Sequence, residues 1–260
     1  MDCSSRSYSS SDNSSERLSF LLEQAAGLNE DGVYELSSGK PQEAIPLFQE
    51  AWESLMEVAG ATGSTCTSSI VGTDCSTAAT TTRIQIPHLE DDVFYIYSCA
   101  VAYSASTSTT PVNTTSKDVQ FECAIVLFNL ALAFHQQGKK TKKEGFLRRA
   151  LQYYQQCQQS LQQVLTTNTT CTAHDELILL TLAVMNNQAS IEYELPIPTT
   201  TNTTSAANND NSEKLWHYSI HAILDEETTN FSMVEQSQIH EFVQNAMVFR
   251  LQRPCAAPTA

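Results

Sequence analysis

Apolar side chains recur three and four residues apart in a series of helix-length stretches of this chain, and between them run segments dominated by Ser, Thr, Asn and Gly. That spacing is the period of a helix with one buried face. The first stretch opens after Ser14 or Ser15, either of which suits an N-cap, and carries Leu18, Leu21, Leu22, Ala25, Leu28, Gly32 and Leu36 along one stripe up to Gly39. Pro41 then fits the first turn of a second helix, where a missing N–H loses no intrahelical bond, and Ala44, Leu47, Phe48, Ala51, Trp52, Leu55 and Val58 form its stripe. Two helices joined by so short a turn predict an antiparallel hairpin over 14–59.

A second hairpin is predicted over 118–165, with Gly138 at its turn, Ala124, Leu127, Phe128, Ala131 and Phe134 on one helix, and Phe146, Leu147, Ala150, Leu151, Tyr154, Leu161 and Leu165 on the other. A third, over 174–226, is broken: its first helix stops at Pro196 and Pro198, and the return helix follows only at 212–224. An amphipathic stretch at 234–251, with Ile239, Phe242, Val243, Ala246 and Met247, reads as a cap on the open end. The intervening runs at 60–117, 166–173 and 196–211 read as insertions, and 1–13 and 252–260 as tails too polar to order themselves. Inside the first insertion, 82–87 alternates Ile84 and Ile86 with polar residues and 93–103 is rich in aromatic and β-branched ones, which predicts a small β-hairpin within 82–103, turning at 88–92. The fold class expected is all-α, one helical domain over 14–251.

Leu28, Gly32, Gly39, Ala44, Phe48 and Ala51 in the first hairpin, and Leu127, Leu130, Ala131, Phe134, Gly138, Leu147 and Ala150 in the second, place large and small residues where two crossing helices need them. This arrangement resembles the tetratricopeptide-repeat (TPR) class, over about half of the chain, with only Met185, Ala189 and Tyr193 continuing it in the third hairpin. Asp31, Glu35 and Lys143 depart from the pattern, and the insertions break its regular period. An irregular helical bundle is the plain alternative. The resemblance implies a right-handed array and an adaptor or scaffold that binds a peptide or helix in a groove lined by Asn29, Val33, Leu36, Phe128, Asn129, Leu132, His135, Asn186, Ser190 and Tyr193. Several of these are equally suited to packing between hairpins.

Fourteen Lys and Arg against twenty-nine Asp and Glu give a net charge of −15, which repels nucleic-acid phosphates and anionic lipid over most of the surface. The partner expected is therefore a protein or peptide, with no nucleic acid and no membrane. The best apolar run, 121–134, is interrupted by Glu122 and Asn129 and falls short of a span. The N-terminus lacks a secretory h-region, and the eight cysteines show no zinc-like spacing, so free thiols in a cytoplasmic setting and a monomer are expected. Lys139, Lys140, Lys142 and Lys143 read either as a solvated turn at a helix C-terminus or as a nuclear-import patch.

No P-loop, GxSxG elbow or HExxH is present, and neither enzyme activity nor a cofactor is expected. Glu213, His217, His221 and Asp225 recur at helical spacing and form the one weak metal candidate, chiefly His217 and His221, although Trp216, Ile220, Ile223 and Leu224 put them on the solvated flank of their helix. A metal-dependent or cysteine enzyme, or a self-associating structural protein, is the alternative class.

TPR domains that capture acidic chaperone tails use a clamp of Lys, Asn, Asn, Lys and Arg; the matching positions here are Asn29, Val33, Asn129, Ala183 and Asn187, which hold no cation. Titration of a fluorescent acidic C-terminal peptide at low salt is expected to show no binding; micromolar binding abolished by Asn129→Ala would contradict this register.

Overall fold

Apolar periodicity becomes five long helices in the structure, a computed structural model that describes residues 12–61, 81–85, 96–103, 116–167, 174–195 and 240–244. They are α1 (Asp12–Ser37), α2 (Pro41–Ala61), α3 (Ser116–Thr141), α4 (Glu144–Thr167) and α5 (His174–Glu194), with β1 (Thr81–Gln85) and β2 (Cys99–Tyr103) between α2 and α3. The described chain is thus mostly helical with one two-stranded antiparallel sheet. The expected return helix at 212–224, most of the cap at 234–251 and the residues His217 and His221 lie outside the described residues; within the cap, 240–244 is helical.

Both hairpins turn by the same device. Gly39, at φ 72°, follows α1; its N–H bonds Leu36 O and that of Lys40 bonds Glu35 O, each at 3.0 Å. This is a Schellman closure, which needs a left-handed residue just past the helix. In the second hairpin Lys142 takes that place at φ 53°, with Lys142 N–H to Lys139 O at 3.3 Å and Lys143 N–H to Gly138 O at 3.2 Å. Gly138 is therefore not the turn residue expected of it, and α3 runs one further turn beyond it. It is needed for packing: a Cβ there would lie 2.6 Å from Leu147 Cδ2. Lys143, expected opposite Ala131, instead precedes α4. Gly32 likewise meets the Phe48 ring, 2.5 Å from where its Cβ would stand.

Each helix packs on the next, α1 to α2 through α4 to α5, and β2 lies against α1 and α3. The N-terminal ends differ slightly from expectation, since α1 already includes Asp12 and Asn13. Three contacts make α1, α3 and α5 run parallel: Asn29 bonds Asn129 in their middles, Lys140 Nζ reaches Gly39 O at the ends of α3 and α1, and Lys139 pairs with Glu194 at the ends of α3 and α5. The stretch Val119–Thr141 of α3 is long and apolar enough to cross a membrane by composition, contrary to the shorter run expected, but 83% of its most apolar window is buried inside the chain. It is the helix around which the others assemble.

The strands pair from Thr81↔Tyr103 to Gln85↔Cys99. Within the described residues the ladder runs to Cys99 opposite Gln85, and the turn expected at 88–92 lies outside them. The backbone groups of Tyr97 and Val101 that face away from β1 are bonded to helix side chains.

Two substitutions follow from the turns and crossings. Gly32→Ala is expected to lower stability by about 1–3 kcal/mol through overpacking against Phe48. Lys142→Gly is expected to raise it by about 1 kcal/mol, because glycine enters the left-handed region without the Cβ clash. Chemical denaturation of the two variants checks both signs.

Candidate functional site

Asparagine is an awkward residue in the middle of an apolar helix, because a buried amide costs free energy until both its carbonyl and its amino group are bonded. Asn129 interrupts the apolar run of α3 and Asn187 that of α5, both 0% exposed. Each grips one residue of the extended segment 96–103. Val101 N–H donates to Asn129 Oδ1 at 2.9 Å, and Asn129 Nδ2 donates back to Val101 O at 2.7 Å. Tyr97 N–H donates to Asn187 Oδ1 at 2.9 Å, and Asn187 Nδ2 donates to Tyr97 O at 3.0 Å.

An exchange of both bonds with a single residue is the pattern of a hydrogen-bonded pair in an antiparallel sheet, reproduced here by a side-chain amide. Tyr97 and Val101 are of the same parity along the strand, so their backbone groups face the helices while Ala100 and Ala102 face β1. Neighbouring groups complete each grip. Asn29 Nδ2 donates to Val101 O at 3.0 Å and Asn29 Oδ1 accepts from Asn129 Nδ2 at 2.8 Å. Asn187 Nδ2 also donates to Tyr154 OH at 3.0 Å, and Asn186 Nδ2 to Asn187 Oδ1 at 3.1 Å. Tyr97 stacks obliquely on Phe128 and Phe242, with ring centroids 6.1 and 5.5 Å away, and Phe128 lies 6.0 Å from Tyr154. At the far edge Thr81 Oγ1 donates to the Glu176 carboxylate, which ties β1 to α5.

Of the groove residues expected from the repeat resemblance, Asn29, Asn129, Asn186 and Phe128 meet the segment or the amides that hold it. Asn29, Val33, Leu36, Phe128, Asn129, Leu132, His135, Asn186 and Ser190 are all buried, at 2% exposure or less. Tyr193 lies in α5, its side chain outside the described residues. Asn29, Asn129 and Asn186 join one polar network through the strand, and what fills the groove is the chain's own segment. Asn187 and Tyr154 were not named among the groove residues. The signal for Asn187 was the amide pair Asn186–Asn187 inside an otherwise apolar helix.

His135 is fully buried, and neither of its ring nitrogens has a hydrogen-bond partner; the ring stands edge-on to Tyr154 at 6.1 Å. Burial, and secondarily the Lys139 cation one turn on, push its pKa down to about 3. Ser190 Oγ is also unpartnered, and it stands one turn before Glu194 as His135 does before Lys139. Burial likewise raises the Tyr154 phenol and the Cys157 thiol, whose Sγ donates to Ala124 O at 3.1 Å. Of the basic cluster, Lys139 pairs with Glu194, Lys140 reaches Gly39 O at 3.4 Å and Arg148 bonds Glu144, while Lys142 and Lys143 form the turn. Among the described residues no three His, Cys, Asp or Glu side chains gather into a metal-binding group.

No protein-family model, curated protein or solved structure matches the chain.

Asn129→Leu and Asn187→Leu each strand a buried backbone N–H and are expected to lower stability by about 1–3 kcal/mol in urea melts. Acid gives a second readout. The folded pKa of His135 lies below its unfolded value near 6.5, so the unfolded chain takes the proton first. Its contribution is complete above about pH 6.5 and is lost, at up to about 1.4 kcal/mol per pH unit, as pH falls toward about 3. The stability difference between wild type and His135→Phe is expected to change over that window and to be flat above it.

Proposed function

We propose that this chain is a protein–protein interaction module, an array of helical hairpins resembling the TPR class, whose inner groove holds an extended peptide by its backbone. Residues 96–103 are the occupant in cis. The observation that carries this reading is the pair of two-way amide bonds, Asn129 to Val101 and Asn187 to Tyr97. Such bonds read only backbone, so the grip tolerates many sequences, while apolar neighbours such as Phe128 select side chains on alternate positions. Parallel helices α1, α3 and α5 present their amides at one level, which is what a single extended strand crossing them requires.

A labelled peptide with the sequence of residues 94–105, titrated into the full chain, tests the reading. Saturable binding is expected. It should tighten in Val101→Pro, which removes the N–H by which the resident segment is held, and weaken in Asn187→Ala, which removes the grip on any occupant. If the peptide binds neither wild type nor Val101→Pro, and the Tyr97 and Val101 amides exchange only through global unfolding, the segment is a fixed part of the core and the groove has no external partner.

A further inference from the structure

Helix α1 turns its apolar stripe inward, yet its outer face also carries a periodic pattern. Glu16, Phe20, Glu23, Gly27, Glu30 and Tyr34 alternate four and three residues apart, all exposed, with Asp31 alongside. Phe20 and Tyr34 are 64% and 66% exposed, large aromatic surfaces that the described residues leave uncovered. They lie one heptad either side of Gly27, about 10 Å away at 1.5 Å rise per residue. Phe20, Gly27 and Tyr34 thus recur at one heptad position along this face, flanked by glutamates that a partner's cations could meet.

Gly27 has no internal explanation. Glycine in an exposed helix interior is less stable than alanine. Gly32 is required by Phe48, Gly138 by Leu147 and Gly39 by its positive φ, whereas a Cβ at Gly27 would meet nothing within 4 Å. Gly60 and Gly145 share that open space but lie in the last turn of α2 and the first turn of α4. A gap between two projecting aromatics is a hole shaped for a bulky side chain from outside.

Charge indicates what kind of helix brings it. Residues 12–61 contain ten carboxylates and two cations. Both cations are engaged, Arg17 with Glu57 and Lys40 with Glu35. Among the described residues, Glu16, Glu23, Glu30 and Asp31 have no ion-pair partner. A second copy of the chain meeting seam to seam would set these glutamates against each other, which disfavours it.

We infer that the outer face of α1 is a docking seam for a cationic amphipathic helix of a partner protein, with a bulky apolar residue seated over Gly27 between Phe20 and Tyr34 and Lys or Arg residues opposite the glutamates. This surface is separate from the inner groove and does not depend on the reading of that groove.

The test uses the full chain and a designed Ala-based helical peptide of about three heptads, carrying Leu at the central seam position and Lys at its neighbours, beside a control with Glu for Lys. Anisotropy titration is expected to show binding of the Lys peptide alone, weakened about tenfold by Glu23→Lys/Glu30→Lys and by Gly27→Leu, and reduced in 0.5 M salt. Circular dichroism should show that neither variant loses the fold, since both substitutions face solvent. Equal binding by wild type and Gly27→Leu, binding of both peptides, or no binding at all overturns the inference. A wild-type dimer in sedimentation that Gly27→Leu dissociates also overturns it, in favour of a second copy.

Discussion

The fold depends on satisfying the backbone of one extended segment inside a helical array. A helix has no free edge: its N–H and C=O groups are bonded to one another, so it cannot extend a sheet. Within segment 96–103, residues 99–103 have β1 on one side only, and the groups facing the helices would be buried without partners. Side-chain amides on α3 and α5 fill that role, because an amide carries a donor and an acceptor at nearly the spacing of a peptide unit. Asn129 and Asn187 act as two isolated residues of a missing third strand.

That requirement organises what surrounds it. Asn29 adds a second donor to Val101 O and so fixes the height of α1 against α3, while Lys140 on Gly39 O and Lys139 on Glu194 set the same heights at the helix ends. The aromatic layer of Tyr97, Phe128, Tyr154 and Phe242 then excludes water from the amide bonds, which strengthens them. His135 marks where the network stops. Its ring nitrogens have no hydrogen-bond partner, and the buried ring packs edge-on against Tyr154.

Legibility in the sequence followed the range of the interaction. Helices α1 to α5 were readable because three-to-four periodicity is local, and Gly39 because a glycine with a proline two residues on marks a helix end. Lys142 was not, since a lysine in the left-handed region leaves no trace in sequence, and Gly138 drew attention to a position that serves Leu147. The repeat resemblance led to Asn29 and Asn129, but as a surface for something external. That Val101 would be their ligand depends on the relative heights of α1 and α3 and on strand parity, neither of which any local pattern encodes.

The amide grip also constrains how the groove can open. With the segment withdrawn, Asn29, Asn129 and Asn187 would face one another and the apolar sides of Phe128 and Leu132, leaving donors and acceptors unmet that cost about 1–3 kcal/mol apiece. Asparagine is also a weak helix former, so α3 and α5 gain nothing locally from carrying it. An empty groove is therefore less stable than either the helices or the strand considered alone would suggest. Water or another strand must enter as the resident strand leaves, and backbone is the ligand that fits all three amides at once. On the proposed reading, exchange would proceed by replacement at one amide after another, because release of Tyr97 or of Val101 leaves the other still bonded.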